Sequence, residues 1–171
     1  WIKGNLGMCL KTHIGNESGI QWYVDADLAG LWAVNGETRS RMGIIGTYNG
    51  VPFFWKSYWI KSIVTSSGEA EIYALSECLK WVLHFIHVCE ELGIDTPAKV
   101  PVWCDATAAI AFIQNLGGPS QTRLKHIDLR AAWCNQEMGR IDLQHIAGTS
   151  NPANFLTKVL SPTEFKNEGD H

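Results

Sequence analysis

The sequence is short of charge. Asp, Glu, Lys and Arg make up only 18% of its 171 residues, and the formal net charge is −3. A chain this poor in charge, 46% hydrophobic and carrying eight Trp, is not a disordered segment. Its charge balance argues against a protein that finds nucleic acid through bulk charge, while leaving room for a local basic patch beside an acidic site. No Cys-x-x-Cys pair occurs among Cys9, Cys78, Cys89, Cys104 and Cys134, and several of them stand in apolar runs. They read as reduced core residues rather than zinc ligands or disulfides. No apolar run reaches the roughly 18 residues of a spanning helix. No basic-then-apolar leader heads the chain, so nothing directs secretion. Internal repeats and low-complexity tracts are also missing. The expectation is one domain with one sizeable core and no membrane partner.

What is present starts with residues 20–25, a β-branched and aromatic run ending in Asp25, which reads as a buried strand. An ionised carboxylate there needs a partner or a metal. Residues 29–40 read as a loop. Residues 42–48 and 51–55 are strand-like and flank Asn49-Gly50, a strong hairpin signal, so the first three strands form an antiparallel meander. Residues 60–65 either extend the third strand or form a loop beside it. Ser66-Ser67-Gly68-Glu69 matches a capping box. The long helix that follows stops at Gly93 and carries Ala70, Tyr73, Ala74, Trp81, Phe85, Val88 and Leu92 on one apolar face. Residues 100–104 form a fourth strand ending at Asp105, 108–113 a short helix, 123–138 a further helix and 141–146 a fifth strand. Asn151-Pro152 opens a last helix. Residues 1–18 look like an irregular lead-in with a short edge strand near 8–11, residues 19–160 form the domain, and 161–171 are a polar tail. The order predicts an α/β fold: a five-stranded mixed sheet, antiparallel over strands 1–3 and followed by strands 4 and 5, with helices on its faces.

Three acids sit at the places where this fold brings chain segments together. Asp25 ends the first strand, Asp105 ends the fourth, and Glu71 lies in the first turns of the long helix. Each has an ordinary reading: a turn cap for Asp25, a solvated helix residue favoured by the positive N-terminus for Glu71, and an N-cap for Asp105. If strands one and four are neighbours, the two Asp side chains meet, and a helix across the sheet brings Glu71 to them. Three carboxylates so close cannot all stay ionised without a cation. Oxygen-only ligands favour Mg²⁺ or Mn²⁺ over zinc.

Longer segments carry a resemblance. They are Tyr23-Val24-Asp25-Ala26-Asp27-Leu28-Ala29-Gly30, Trp55-Lys56-Ser57, Ser66-Ser67-Gly68-Glu69-Ala70-Glu71-Ile72-Tyr73-Ala74-Leu75, Cys104-Asp105, Arg123-Leu124-Lys125-His126-Ile127-Asp128-Leu129-Arg130 and Asn151-Pro152-Ala153-Asn154-Phe155-Leu156-Thr157-Lys158. In order and spacing, from about residue 20 to 160, the chain resembles the ribonuclease H domain of copia-type retrotransposon polyproteins. Its lead-in, Trp1-Ile2-Lys3-Gly4, resembles the junction after the reverse transcriptase, which would make the chain one piece of a longer polyprotein in an intracellular, cytoplasmic retroelement particle.

The resemblance implies a ribonuclease H fold and an endonuclease that hydrolyses the RNA strand of RNA/DNA hybrids during reverse transcription, using two Mg²⁺ ions with Mn²⁺ as substitute. The first family acid falls on Asp25 and the third on Asp105. Glu69 and Glu71 compete for the second; Glu71 matches the pattern of an acid, two residues, then Ala-Leu, and Glu69 suits the capping box. The fourth acid falls on Asn154, which offers a carbonyl oxygen but no charge. An Asn there fits a substitution made to trap substrate, decay of an element copy, or a tolerated variant. Ala106 stands where the family has Asn, and Tyr58-Trp59-Ile60 replaces a Lys-x-Gln pattern. His145 and Thr149 lie near where relatives keep a mobile His; His145 reads as part of strand five and Thr149 as a loop residue, and that role is assigned to neither.

The hybrid would be read by shape, phosphates and 2′-hydroxyls. Arg123, Lys125, His126 and Arg130 are the main basic cluster, with Arg123 and Arg130 on one helix face; Arg39, Arg41, Lys56 and Lys61 are a second candidate. Trp32, Tyr58 and Trp59 can stack on sugars or pack in the core. The expected partners are an RNA/DNA hybrid and the upstream reverse transcriptase. The competing function is a non-catalytic module of the same fold that binds hybrid or supports the polymerase.

Overall fold

The middle of the sheet is β1 (Ile20–Asp27), apolar on both faces: Trp22 and Val24 point one way and Tyr23 the other, all buried. The computed structural model describes residues 19–30, 36, 38–115 and 125–158. The lead-in at 1–18, the tail at 161–171, Cys9, Trp32 and Arg123 lie outside the described residues. β1 pairs antiparallel with β2 (Arg41–Tyr48) and parallel with β4 (Val100–Cys104). β2 turns into β3 (Val51–Trp59) at Asn49-Gly50, whose φ angles of 51° and 79° are the left-handed values that a primed hairpin turn requires. β5 (Ile141–His145) pairs parallel with β4, giving the order β3-β2-β1-β4-β5. The mixed sheet is the one expected. β1 and β3 run longer than their sequence patterns suggest, so residues 60–65 do not continue the third strand.

α1 (Ser67–Leu92) connects the meander to β4. The Ser66 hydroxyl accepts from the Glu69 amide at 3.2 Å, and Gly93 (φ 66°) closes the far end, as its position in the sequence suggests. The capping box is only half made. Glu69 accepts from the Thr65 amide at 2.7 Å instead of returning to Ser66. The expected apolar face holds at its start, where Ala70, Tyr73 and Ala74 are buried, but not at its end: Leu79, Val82, Ile86 and Cys89 are buried there, whereas Val88 and Leu92 are 37% and 68% exposed. The sheet decides which stripe is covered, and Trp81 and Phe85 lie at its flank against Phe54, Phe53 and Trp22. By length and composition α1, 26 residues long, is long and apolar enough to cross a membrane, with a mean hydropathy of 1.2 over an 18-residue stretch. Scattered polar residues hid this from a search for unbroken apolar runs. In this fold its apolar stripe is covered by the sheet.

α2 (Thr107–Gln114) and α3 (Lys125–Gln136), the latter followed by a 3₁₀ turn at Glu137–Gly139, pack beside α1. Ile110, Ile113, Ile127 and Ala131 join Trp22, Val24 and Leu79 in one core, so these helices share one face of the sheet. Each fully buried Leu, Ile or Val there contributes about 1.5–3 kcal/mol. On the other face Tyr23 and Ile45 pack with Trp103, Ala153 and Leu156. The covering element is a 3₁₀ turn, Pro152–Leu156, where the sequence suggested a regular helix. Its cap explains the difference: Asn151 accepts from the Ala153 amide and donates to the Val24 carbonyl at 2.9 Å, tying the turn down onto β1. Cys78, Cys89, Cys104 and Cys134 are free and buried, as expected of core residues.

Candidate functional site

Asp25 sits in β1 directly across from Gly43 of β2. Gly43 is there because the Pro152–Leu156 turn approaches so closely: a Cβ at that position would lie 2.7 Å from Leu156 Cβ and 2.8 Å from the Ala153 carbonyl oxygen. This approach lets the Thr157 hydroxyl donate to the Asp25 carboxylate, which is almost wholly buried. The cap of α1 sets Glu71 in the buried first turns of the helix, where the backbone amide of Ala26 donates to it. Asp105 follows β4 and opens the turn into α2, and a Cβ on Gly148 would come within 2.8 Å of its Oδ2. Ligand atoms of Glu71, Cys104 and Asp105 all lie within 4.8 Å of one another. Glu71 and Asp105 also line an open cleft of about 360 Å³ with Ser67, Gly68 and Thr107. Asp25 is not part of that tightest group; it couples to it through charge.

Electrostatics bind the three acids into one unit. Burial, then the charges of Asp25 and Asp105, push the Glu71 carboxyl up to about 9, against the Ala26 amide and Lys158, which pull it down. Burial likewise lifts Asp25 to about 6; the Thr157 hydrogen bond and Lys158 oppose the rise, and Asp105 and Asp27 add to it. Burial also raises Asp27, against the pull of Lys158. The Cys104 thiol is fully buried and raised, by burial first and then by the Glu71 charge, so it stands as a neutral neighbour. Carboxylates that resist ionisation beside one another are what a divalent cation relieves, and the donor set of Asp25, Glu71 and Asp105 is oxygen throughout.

Glu69, the rival for the second acid, is occupied elsewhere. Burial would raise it, but donors from the Thr65 amide, His126 and the Thr65 hydroxyl hold it below the usual carboxylate range. His126 Nε2 lies 3.0 Å from its Oε1. Asn154 lies in the C-terminal turn, with its amide nitrogen on the Gly148 carbonyl and its oxygen accepting from Lys158 Nζ at 2.9 Å.

The basic cluster is largely committed to the fold. Arg130 donates to Ser76 at 2.8 Å and to Glu77 at 3.2 Å, and its guanidinium lies 3.9 Å above the Tyr73 ring centroid. With His126 on Glu69, it locks α3 to α1. Lys125 is exposed, and Arg123 is outside the described residues. In the second group, Arg39 and Arg41 stack on Trp59, Lys56 lies over Trp81, and Lys61 is exposed. His145 and Thr149 are exposed at the end of β5 and in the following 3₁₀ turn. Sequence reasoning gave no role at the site to Gly43, Gly148 or Thr157, and gave Asn151 only the opening of the last helix.

No protein-family model matches the chain. Among curated proteins it is 31% identical over 168 residues, 97% of its length, to the retrovirus-related Pol polyprotein from transposon TNT 1-94 of Nicotiana tabacum. It is 29% identical over 165 residues, 95% of its length, to the corresponding polyprotein from transposon RE1 of Arabidopsis thaliana. It spans only 12% and 11% of those two relatives. Among solved structures, LC11-RNase H1 in complex with RNA/DNA hybrid superposes with a TM-score of 0.58 at 20% identity, over 81% of this chain and 93% of that one. RNase H1 from the archaeon Halobacterium salinarum gives 0.55 at 12% identity, over 80% and 91%. The chain is thus homologous to the retrovirus-related Pol polyproteins of plant transposons, and it has the ribonuclease H fold.

Proposed function

We propose that the chain is the ribonuclease H segment of a retrotransposon polyprotein, and that it hydrolyses the RNA strand of RNA/DNA hybrids with the help of divalent cations. The observation that carries this reading is the approach of Glu71 and Asp105, with ligand atoms within 4.8 Å of each other, at the end of a ribonuclease H sheet where the charge of Asp25 also bears on Glu71. Those three residues would hold Mg²⁺ or Mn²⁺, with the Asn154 carbonyl as the neutral fourth group. Bound divalent cations in such a site activate water and steady the leaving oxygen.

The chain's own residues do the rest. Thr157 and the Ala26 amide fix the orientations of Asp25 and Glu71. The open cleft beside Glu71 and Asp105 admits a backbone phosphate, with Ser67 and Thr107 at its rim. Lys125, exposed at the start of α3, would contact a phosphate of the hybrid. His126 and Arg130 act here mainly by holding α3 in place. The upstream reverse transcriptase of the same polyprotein would deliver the hybrid.

One observation favours the second reading, a hybrid-binding module with little turnover: the oxygen of Asn154 is already taken by Lys158. Hydrolysis of a 5′-labelled RNA/DNA hybrid in Mg²⁺ and in Mn²⁺ separates the two. The unmodified chain should bind hybrid and cut slowly, leaving 3′-hydroxyl ends, and Asn154→Asp should raise the rate by about tenfold or more. Equal, fast cleavage by both chains would remove Asn154 from the explanation. No cleavage by either would leave the binding module.

A further inference from the structure

Lys158 follows the C-terminal 3₁₀ turn and folds back so that its ammonium rests on the Asn154 side-chain oxygen, 2.9 Å away. Both ends of the Asn154 amide are thereby engaged, the nitrogen by Gly148 and the oxygen by Lys158. Gly148 in turn abuts the Asp105 carboxylate. On the other side Thr157, next to Lys158 in the chain, holds Asp25. The ammonium thus follows the turn whose Thr157 holds Asp25 and reaches, through Asn154, the neighbouring turn whose Gly148 lies against Asp105. Its charge favours the ionised forms of Asp25, Asp27 and Glu71 alike.

A lysine at this place changes what the neutral asparagine can do. Asp at position 154 would bring a charge for Lys158 to neutralise and still leave an oxygen for a cation. Asn brings no charge, so the ammonium on its oxygen repels any divalent ion that would use the same ligand. We infer that Lys158 is a built-in monovalent cation of the acidic centre, standing on Asn154 in place of a second divalent ion, so that the chain holds one divalent ion on Asp25, Glu71 and Asp105. This rests on the metal-dependent reading above and replaces its expected pair of ions with one ion and one ammonium. Lys158 is a positioning residue in this scheme, acting through the charges of the acids.

The test is a calorimetric Mn²⁺ titration of the full chain and of its Lys158→Met, Lys158→Arg and Asp25→Asn variants, each first checked for folding by circular dichroism. The unmodified chain and Lys158→Arg should bind one Mn²⁺. Lys158→Met should bind two, the second at least about tenfold more tightly than any second event in the unmodified chain. With chelator present, Lys158→Met should also melt at a lower temperature than the unmodified chain at pH 8, because the acids lose their counter-charge. Two ions on the unmodified chain with the affinities of Lys158→Met would overturn the inference and leave the metal reading standing. A single ion on Lys158→Met would overturn it too. No Mn²⁺ on any of these chains would overturn the metal reading itself.

Discussion

Replacing Glu71 by Gln should change stability in a way that grows with pH. Burial, and after it the charges of Asp25 and Asp105, hold the Glu71 carboxyl at about 9 in the folded chain, against an ordinary value of 4.5. Between these values the folded chain keeps a proton that the unfolded chain has released. Stability from this group is therefore complete below about 4.5 and is lost as pH rises towards 9. Each pH unit inside the window removes up to about 1.4 kcal/mol per such proton. From pH 5.5 to pH 8.0 Glu71 alone accounts for up to about 3 kcal/mol, a large part of a typical folding free energy of about 5–15 kcal/mol. Asp25, lifted to about 6, steepens the slope at the acid end.

Gln is neutral throughout and nearly the same shape, so it removes the Glu71 contribution. Urea unfolding in chelator should find the variant more stable by about 1.4 kcal/mol at pH 5.5, and this gap should be about 3 kcal/mol wider at pH 8.0. Adding Mg²⁺ at pH 8.0 should raise the unmodified chain more than the variant, since only the unmodified chain regains an ionised ligand. Parallel pH profiles for the two chains would refute the placement of Glu71 among buried like charges.

Asp25→Asn should abolish hybrid hydrolysis while the chain stays folded, measured by cleavage of labelled RNA; unchanged turnover would place the chemistry elsewhere. Gly148→Ala forces a methyl against Asp105 Oδ2, at 2.8 Å before any adjustment, and should weaken Mn²⁺ binding by about tenfold in calorimetry. Arg130→Ala removes the contacts to Tyr73, Ser76 and Glu77 and should cost roughly 1–2 kcal/mol in urea unfolding with little change in hybrid affinity. The opposite pattern, weakened hybrid binding at full stability, would return Arg130 to the phosphate contacts.

Much of the fold was legible because its signals are local. Asn49-Gly50 supplied the turn, Ser66 and Gly93 bounded α1, and apolar runs marked all five strands. The C-terminal half of the apolar face of α1 was misread because nothing within a helix says which stripe a sheet will cover. Residues from Glu69 to Ser76 are buried on every side, and the covered stripe after them passes through Leu79, Val82 and Ile86 rather than Val88 and Leu92. The last helix was overestimated for a related reason: Asn151 caps the turn and bonds to Val24, 127 positions away in the chain, and no local pattern reveals that tie.

At the candidate site, the sequence by itself determined which residue types were available and at which strand and helix ends they stand: Asp25, Glu71 and Asp105, with an uncharged Asn154. The tertiary structure decided their partners. It sent Glu69 to Thr65 and His126 and left Glu71 to face Asp25 and Asp105. It turned Arg130 from a candidate phosphate contact into a clamp between two helices, and it set Lys158 on the oxygen of Asn154. Side-chain identity fixes charge and hydrogen-bonding capacity, but burial and through-space neighbours decide how they are used, and those exist only once distant segments have packed.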